Sequence, residues 1–116
     1  MDSLAPQLFE LLLNNARHAS VISYRDAAAE LGITSSPIIA QISQLLEAQM
    51  QADQQQGRPQ FAALVVQKKG DVPRPGFFEK LQVLHISHEV LSGEAAKQWH
   101  AQELIKIHNW IQDNDS

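Results

Sequence analysis

Leu8, Phe9, Leu12, Leu13 and Ala16 recur on one helical face and predict an amphipathic helix from about Ser3 to Arg17. Ser3 is placed to cap it, and Pro6 is tolerable because it falls in the first turn. Val21 and Ile22 follow as a short extended piece. A second helix through Tyr24, Ala27, Ala28 and Leu31 begins at Ser23, whose spacing to Asp26 is that of a capping box. Gly32, a natural left-handed residue, stops it, and Ile33 re-enters the core. Ser36 is expected to cap a third helix with Pro37 in its first position. Ile38, Ile39, Ile42, Leu45, Leu46 and Met50 give that helix the clearest apolar stripe in the chain.

Gln49 to Gln56 is glutamine-rich and reads as a fraying helix end plus loop, closed by Gly57 and Pro59. Phe61 to Gln67 is the best strand, with an almost continuous apolar run that implies burial on both faces. Lys68 to Gly76 holds two prolines and two glycines and must be a turn or projecting loop. Phe77, Phe78, Leu81 and Leu84 predict a short helix. His85 to Leu91 fits no single element. Beyond Gly93, a last helix from Glu94 to about Gln112 carries Ala96, Trp99, Leu104, Ile107, Trp110 and Ile111, followed by a polar tail to Ser116.

A short helix, a glycine turn, a small polar cap and a longer helix form the pattern of a helix-turn-helix, with an ordinary helical hairpin as the alternative. The expected architecture is therefore a single α+β domain, winged-helix/helix-turn-helix-like, with a small β-sheet and additional C-terminal helices. Residues 1–56 make its helical part, 57–76 the strand and a wing-like loop, and 77–112 the C-terminal helices.

Composition narrows the function classes. At 116 residues and 44% hydrophobic content the chain suits one ordered core. It contains no cysteine, which removes disulfides, thiolate metal sites and cysteine nucleophiles. That is compatible with a reducing compartment, and a cytoplasmic protein is the expectation. No apolar run reaches membrane-spanning length, and the start of the chain does not read as a signal peptide. The net charge of −4 argues against a generic coat for nucleic acid but leaves room for a local basic patch.

Ile22-Ser23-Tyr24-Arg25-Asp26-Ala27-Ala28-Ala29-Glu30-Leu31-Gly32-Ile33 resembles the helix-turn-helix start of alkyltransferase-like winged-helix domains. Alkyl transfer is not implied, because that family's reactive Pro-Cys-His-Arg motif is missing here. Leu64-Val65-Val66-Gln67-Lys68, then Pro73-Arg74-Pro75-Gly76-Phe77-Phe78, then Trp99, are similar to segments of a group of small, mostly uncharacterised bacterial proteins. That similarity spans most of the chain and implies no particular activity.

Two non-enzymatic readings remain open. For duplex DNA, Ser35, Ser36, Gln41 and Gln44 are candidates to meet base edges or phosphate, since glutamine reads adenine bidentately. Arg25, Lys68, Lys69 and Arg74 are candidate phosphate contacts, with Arg58 as a further available cation. The other reading is an interaction module, expected as a homodimer through the last helix with Trp99, Ile105, Trp110 and Ile111 at or near the contact. His85 and His88, with Glu89 or His100, match no established zinc spacing, so no metal is expected. Neither a nucleophile elbow nor a phosphate-loop glycine pattern is present, and neither enzymatic activity nor a cofactor is expected.

Overall fold

Ser23 belongs to two elements at once. In the computed structural model, which describes residues 4–114, α1 (Leu4–Arg17) comes first, and β1 (Ile22–Ser23) then leads directly into α2 (Tyr24–Glu30). The extended backbone of Ser23 lets its Oγ accept from the Asp26 N–H at 3.1 Å, as the spacing predicts. The proposed cap Ser3 and the tail residues Asp115 and Ser116 lie outside the described residues.

The far end of α2 closes on Gly32. Its φ of +79° turns the chain so that its own N–H reaches the Ala29 carbonyl at 3.0 Å, and the Ile33 N–H reaches that of Ala28 at 2.9 Å. This pair of bonds satisfies carbonyls that the helix end would leave free, and it drives Ile33 into the core. A side chain at position 32 would meet no neighbour, so only the backbone conformation resists it. Gly32→Ala is therefore expected to cost about 1 kcal/mol by urea unfolding, with an unchanged m-value. A loss below experimental error would mean that the turn relaxes freely.

α3 (Ile38–Gln56) departs from expectation at both ends. Pro37 has extended rather than helical backbone (φ −86°, ψ 111°) and occupies the cap position itself, so Ser36 does not cap the helix. Gln41 instead braces the turn leading into the helix, its Nε2 donating to the Ser35 and Pro37 carbonyls at 2.7 and 3.0 Å. The glutamine-rich stretch does not fray. It continues as helix to Gly57 (φ +71°) because Gln49, Met50 and Asp53 extend the buried stripe of Ile42 and Leu46. Ile38, Ile39 and Leu45 are only half-buried.

The segment predicted as a strand from Phe61 to Gln67 is mostly something else. Phe61–Leu64 is a turn of 3₁₀ helix, and only Val65–Val66 forms β2. The apolar run did signal burial, since Phe61 to Val66 are all buried. Burial alone does not distinguish a strand from a tight helical turn. Polar side chains decide between them here. The Asp53 carboxylate accepts from the Phe61 N–H at 3.0 Å, Glu103 Oε2 accepts from the Gln60 N–H at 2.7 Å, and His100 Nε2 donates to the Ala63 carbonyl at 2.8 Å. Backbone groups that a sheet would have paired are satisfied by side chains instead.

β1 and β2 pair in parallel, with Ile22 opposite Val65 and Ser23 opposite Val66. The fold is α+β and mostly helical, with this two-stranded sheet as its β component. α4 (Pro75–Val83) and α5 (Gly93–Asn114) complete it, α5 extending two residues past its expected end. α1, α3 and α5 enclose the 3₁₀ turn. Phe61, fully buried, meets Phe9 and Trp110 edge-on at 5.8 and 5.3 Å between ring centroids. Such edge-to-face pairs add to the burial of the rings themselves. Among the described residues no helix is long and apolar enough to cross a membrane.

Candidate nucleic-acid interface

Parallel pairing of β1 with β2 has a consequence for charge. Both strands end at the same edge, one running into Tyr24 and Arg25, the other into Gln67, Lys68 and Lys69. The chain after β2 makes a closed excursion. Gly70 and Asp71 take positive φ (90° and 55°), and the Gln67 N–H donates to the Val72 carbonyl at 2.8 Å. Pro73 is fully buried and anchors the return, after which the Arg74 N–H donates to the Tyr24 hydroxyl at 2.8 Å. The guanidinium of Arg74 lies 5.9 Å from the Tyr24 ring centre, within the range of cation–π attraction.

These contacts enclose a cleft of about 270 Å³ beside the start of α3, where Ile39 forms one wall. Arg25, Lys68, Lys69 and Arg74 all line it, with Ser23, Tyr24 and Gln67 between them. None of its described lining residues carries a carboxylate. Four of the nine lysines and arginines in an acidic chain thus share one concave surface. Convergent cations in a cleft focus positive potential far more than the same charges spread over a convex surface.

The other sequence candidates are placed differently. Ser35 and Ser36 are exposed in the bend before α3 and do not line the cleft. The amide N–H groups of Gln41 are committed to the Ser35 and Pro37 carbonyls, which takes away the donor half of a bidentate contact to adenine. Gln44 is exposed on α3. Arg58 is elsewhere altogether. Its Nε donates to Asp53 Oδ1 at 3.0 Å, and its guanidinium stacks 4.6 Å above the Phe9 ring, so it serves the core.

Of the residues expected at a dimer contact, Ile111 is buried and Trp99 and Trp110 are half-buried. Trp99 packs on Phe77 and Phe78 at 5.7 and 6.5 Å, and Trp110 packs on Phe61. Ile105 alone among them is exposed, at 60%. Single exposed apolar side chains are ordinary on protein surfaces. His85 and His88 are exposed, and His100 is held by the Ala63 carbonyl, so no shared site brings these histidines together.

Tyr24 and Gln67 are cleft residues that sequence patterning missed. Tyr24 was legible only as a core position of α2, and nothing local joins it to a residue fifty positions along. The joining information is the β1–β2 register. No protein-family model, curated protein or solved structure matches this chain.

Proposed function

We propose that the protein binds duplex DNA, as a non-enzymatic winged-helix-like module that grips the phosphate backbone in the Arg25–Lys68–Lys69–Arg74 cleft. The observation that carries this reading is the convergence of those four cations on one surface, with no carboxylate among its described lining residues. α2, the connection 31–37 and α3 take the part of the helix-turn-helix, and the loop from Gln67 to Arg74 takes the part of the wing. The arrangement differs from a simple helix-turn-helix in its longer connection and in a wing closed by Gln67, whose N–H and Nε2 donate to the Val72 and Pro73 carbonyls, instead of by two strands.

Affinity on this reading comes from phosphate and only weakly from bases. The exposed side of α3 bears Ala40, Gln44, Glu47 and Ala48, with no cation and one carboxylate. Four phosphate contacts predict a log–log salt slope of about −3.6. Fluorescence anisotropy with a labelled duplex at low and moderate salt tests the proposal. Absence of any binding at about 50 mM salt, the favourable limit, would overturn it.

A further inference from the structure

The Tyr24 hydroxyl is half-used. It accepts from the Arg74 N–H at 2.8 Å, but among the described residues no group accepts its own proton. Tyr24 as a whole is only 8% exposed. A phenol hydroxyl can accept and donate at once, so the donor capacity of Tyr24 is open to a ligand. Burial raises the phenol above its usual pKa, outweighing the opposing effects of the Arg74 N–H and guanidinium, so the proton is retained at neutral pH.

The same side chain lines the cationic cleft together with Arg25, Lys68, Lys69 and Arg74. Tyr24 also borders a smaller space of about 40 Å³, lined by Ser43, Glu47 and Arg74 among others. Glu47 is the one acidic group near the phenol among the residues lining these two spaces. A neutral donor beside Arg74, in a cleft lined by three further cations, suits a tetrahedral oxyanion. The cations supply attraction and the hydroxyl supplies a directed hydrogen bond.

We infer that Tyr24 is a direct ligand of one phosphate group, its Oη donating to a phosphate oxygen held in the cleft by Arg25, Lys68, Lys69 and Arg74. The inference rests on the proposed anion-binding role of this cleft and adds to it a residue and a discrete phosphate subsite. The phosphate is either a free ion or one unit of a DNA backbone, and the two sources are separable.

The chain contains a single tyrosine, so any tyrosine signal reports on this position. Inorganic phosphate titrated at neutral pH should shift the Tyr24 Cζ resonance saturably, and a short duplex should compete for the same shift. Tyr24→Phe, which keeps the ring packed, should weaken duplex binding about tenfold, the scale of a hydrogen bond to a charged group. The salt slope should stay that of the wild type, because no charge is removed. A purely structural tether would not produce the saturable resonance shift. Duplex binding with a normal salt slope, but no Tyr24 shift and no loss in Tyr24→Phe, would overturn the inference and leave the DNA reading standing. A phosphate-induced shift without any duplex binding would do the reverse, keeping the subsite and removing DNA as its source. No response to either probe would overturn both.

Discussion

Asp53→Ala is expected to destabilise the domain by about 3 kcal/mol, a large part of the total stability of a small domain. Asp53 is fully buried on α3, and its carboxylate accepts from three donors: the Gln49 amide at 2.8 Å, Arg58 Nε at 3.0 Å and the Phe61 N–H at 3.0 Å. Arg58 can turn outward, since its side chain is already 23% exposed, and Gln49 can relax. The Phe61 N–H has no such escape, because Phe61 is fully buried at the centre of the molecule. Its loss of a partner, together with the space left by the carboxylate, sets the magnitude. Urea unfolding measures it, and a loss under about 1 kcal/mol would show that the 3₁₀ turn holds itself without Asp53.

The pH dependence of the same site has a definite sign. Burial raises the Asp53 carboxyl above its ordinary range, and the three hydrogen bonds and the Arg58 charge oppose this without cancelling it. The folded state therefore holds its proton to higher pH than the unfolded state does. Its contribution to stability is fully present below the unfolded value and is lost as pH rises through the folded one. Asp53→Asn removes this titration, so the stability of wild type relative to the variant should be greatest in acid. The gap should narrow as pH rises across that window.

Helices were the legible part of this fold, and the reason is periodicity. The stripes of α1, α3 and α5 each repeat over several turns, and Ser23 and Gly32 mark the ends of α2 with side-chain and backbone chemistry that acts locally. The segment Phe61 to Val66 was illegible because its conformation is imposed from outside. Asp53, His100 and Glu103 supply its hydrogen-bond partners, and none of them is near it in the pattern. The sequence pattern by itself assigns no partner to either buried carboxylate. The start of α3 was misplaced for a smaller reason, an extended Pro37 in place of a helical one.

For the candidate site, residue type was legible and grouping was not. Arg25 and the Lys68–Arg74 loop could be named as cations from sequence alone. That they face one cleft depends on two-residue strands pairing in parallel across more than forty intervening positions, which no local signal encodes. Arg58, equally basic, was drawn away by Asp53 and Phe9.

The combined variant Lys68→Ala, Lys69→Ala and Arg74→Ala tests that grouping most directly. At roughly 1 kcal/mol for each phosphate contact, duplex affinity at about 50 mM salt should fall about 150-fold. The salt dependence is the sharper readout. Wild type, with a slope of about −3.6, should lose about 150-fold in affinity between 50 and 200 mM salt, whereas the variant, with Arg25 alone, should have a slope of about −0.9 and lose only about 3.5-fold. Lys68, Lys69 and Arg74 are exposed, and alanine at position 74 keeps the backbone N–H bond to the Tyr24 hydroxyl, losing only the long 5.9 Å cation–π contact. Folding should therefore be preserved, and urea unfolding of the variant verifies it. The matched control replaces Lys80, Lys97 and Lys106, which lie outside the cleft, by alanine. It removes the same net charge and should leave the slope near that of wild type. Equal losses in the two triple variants would show that net charge, and not the cleft, governs binding.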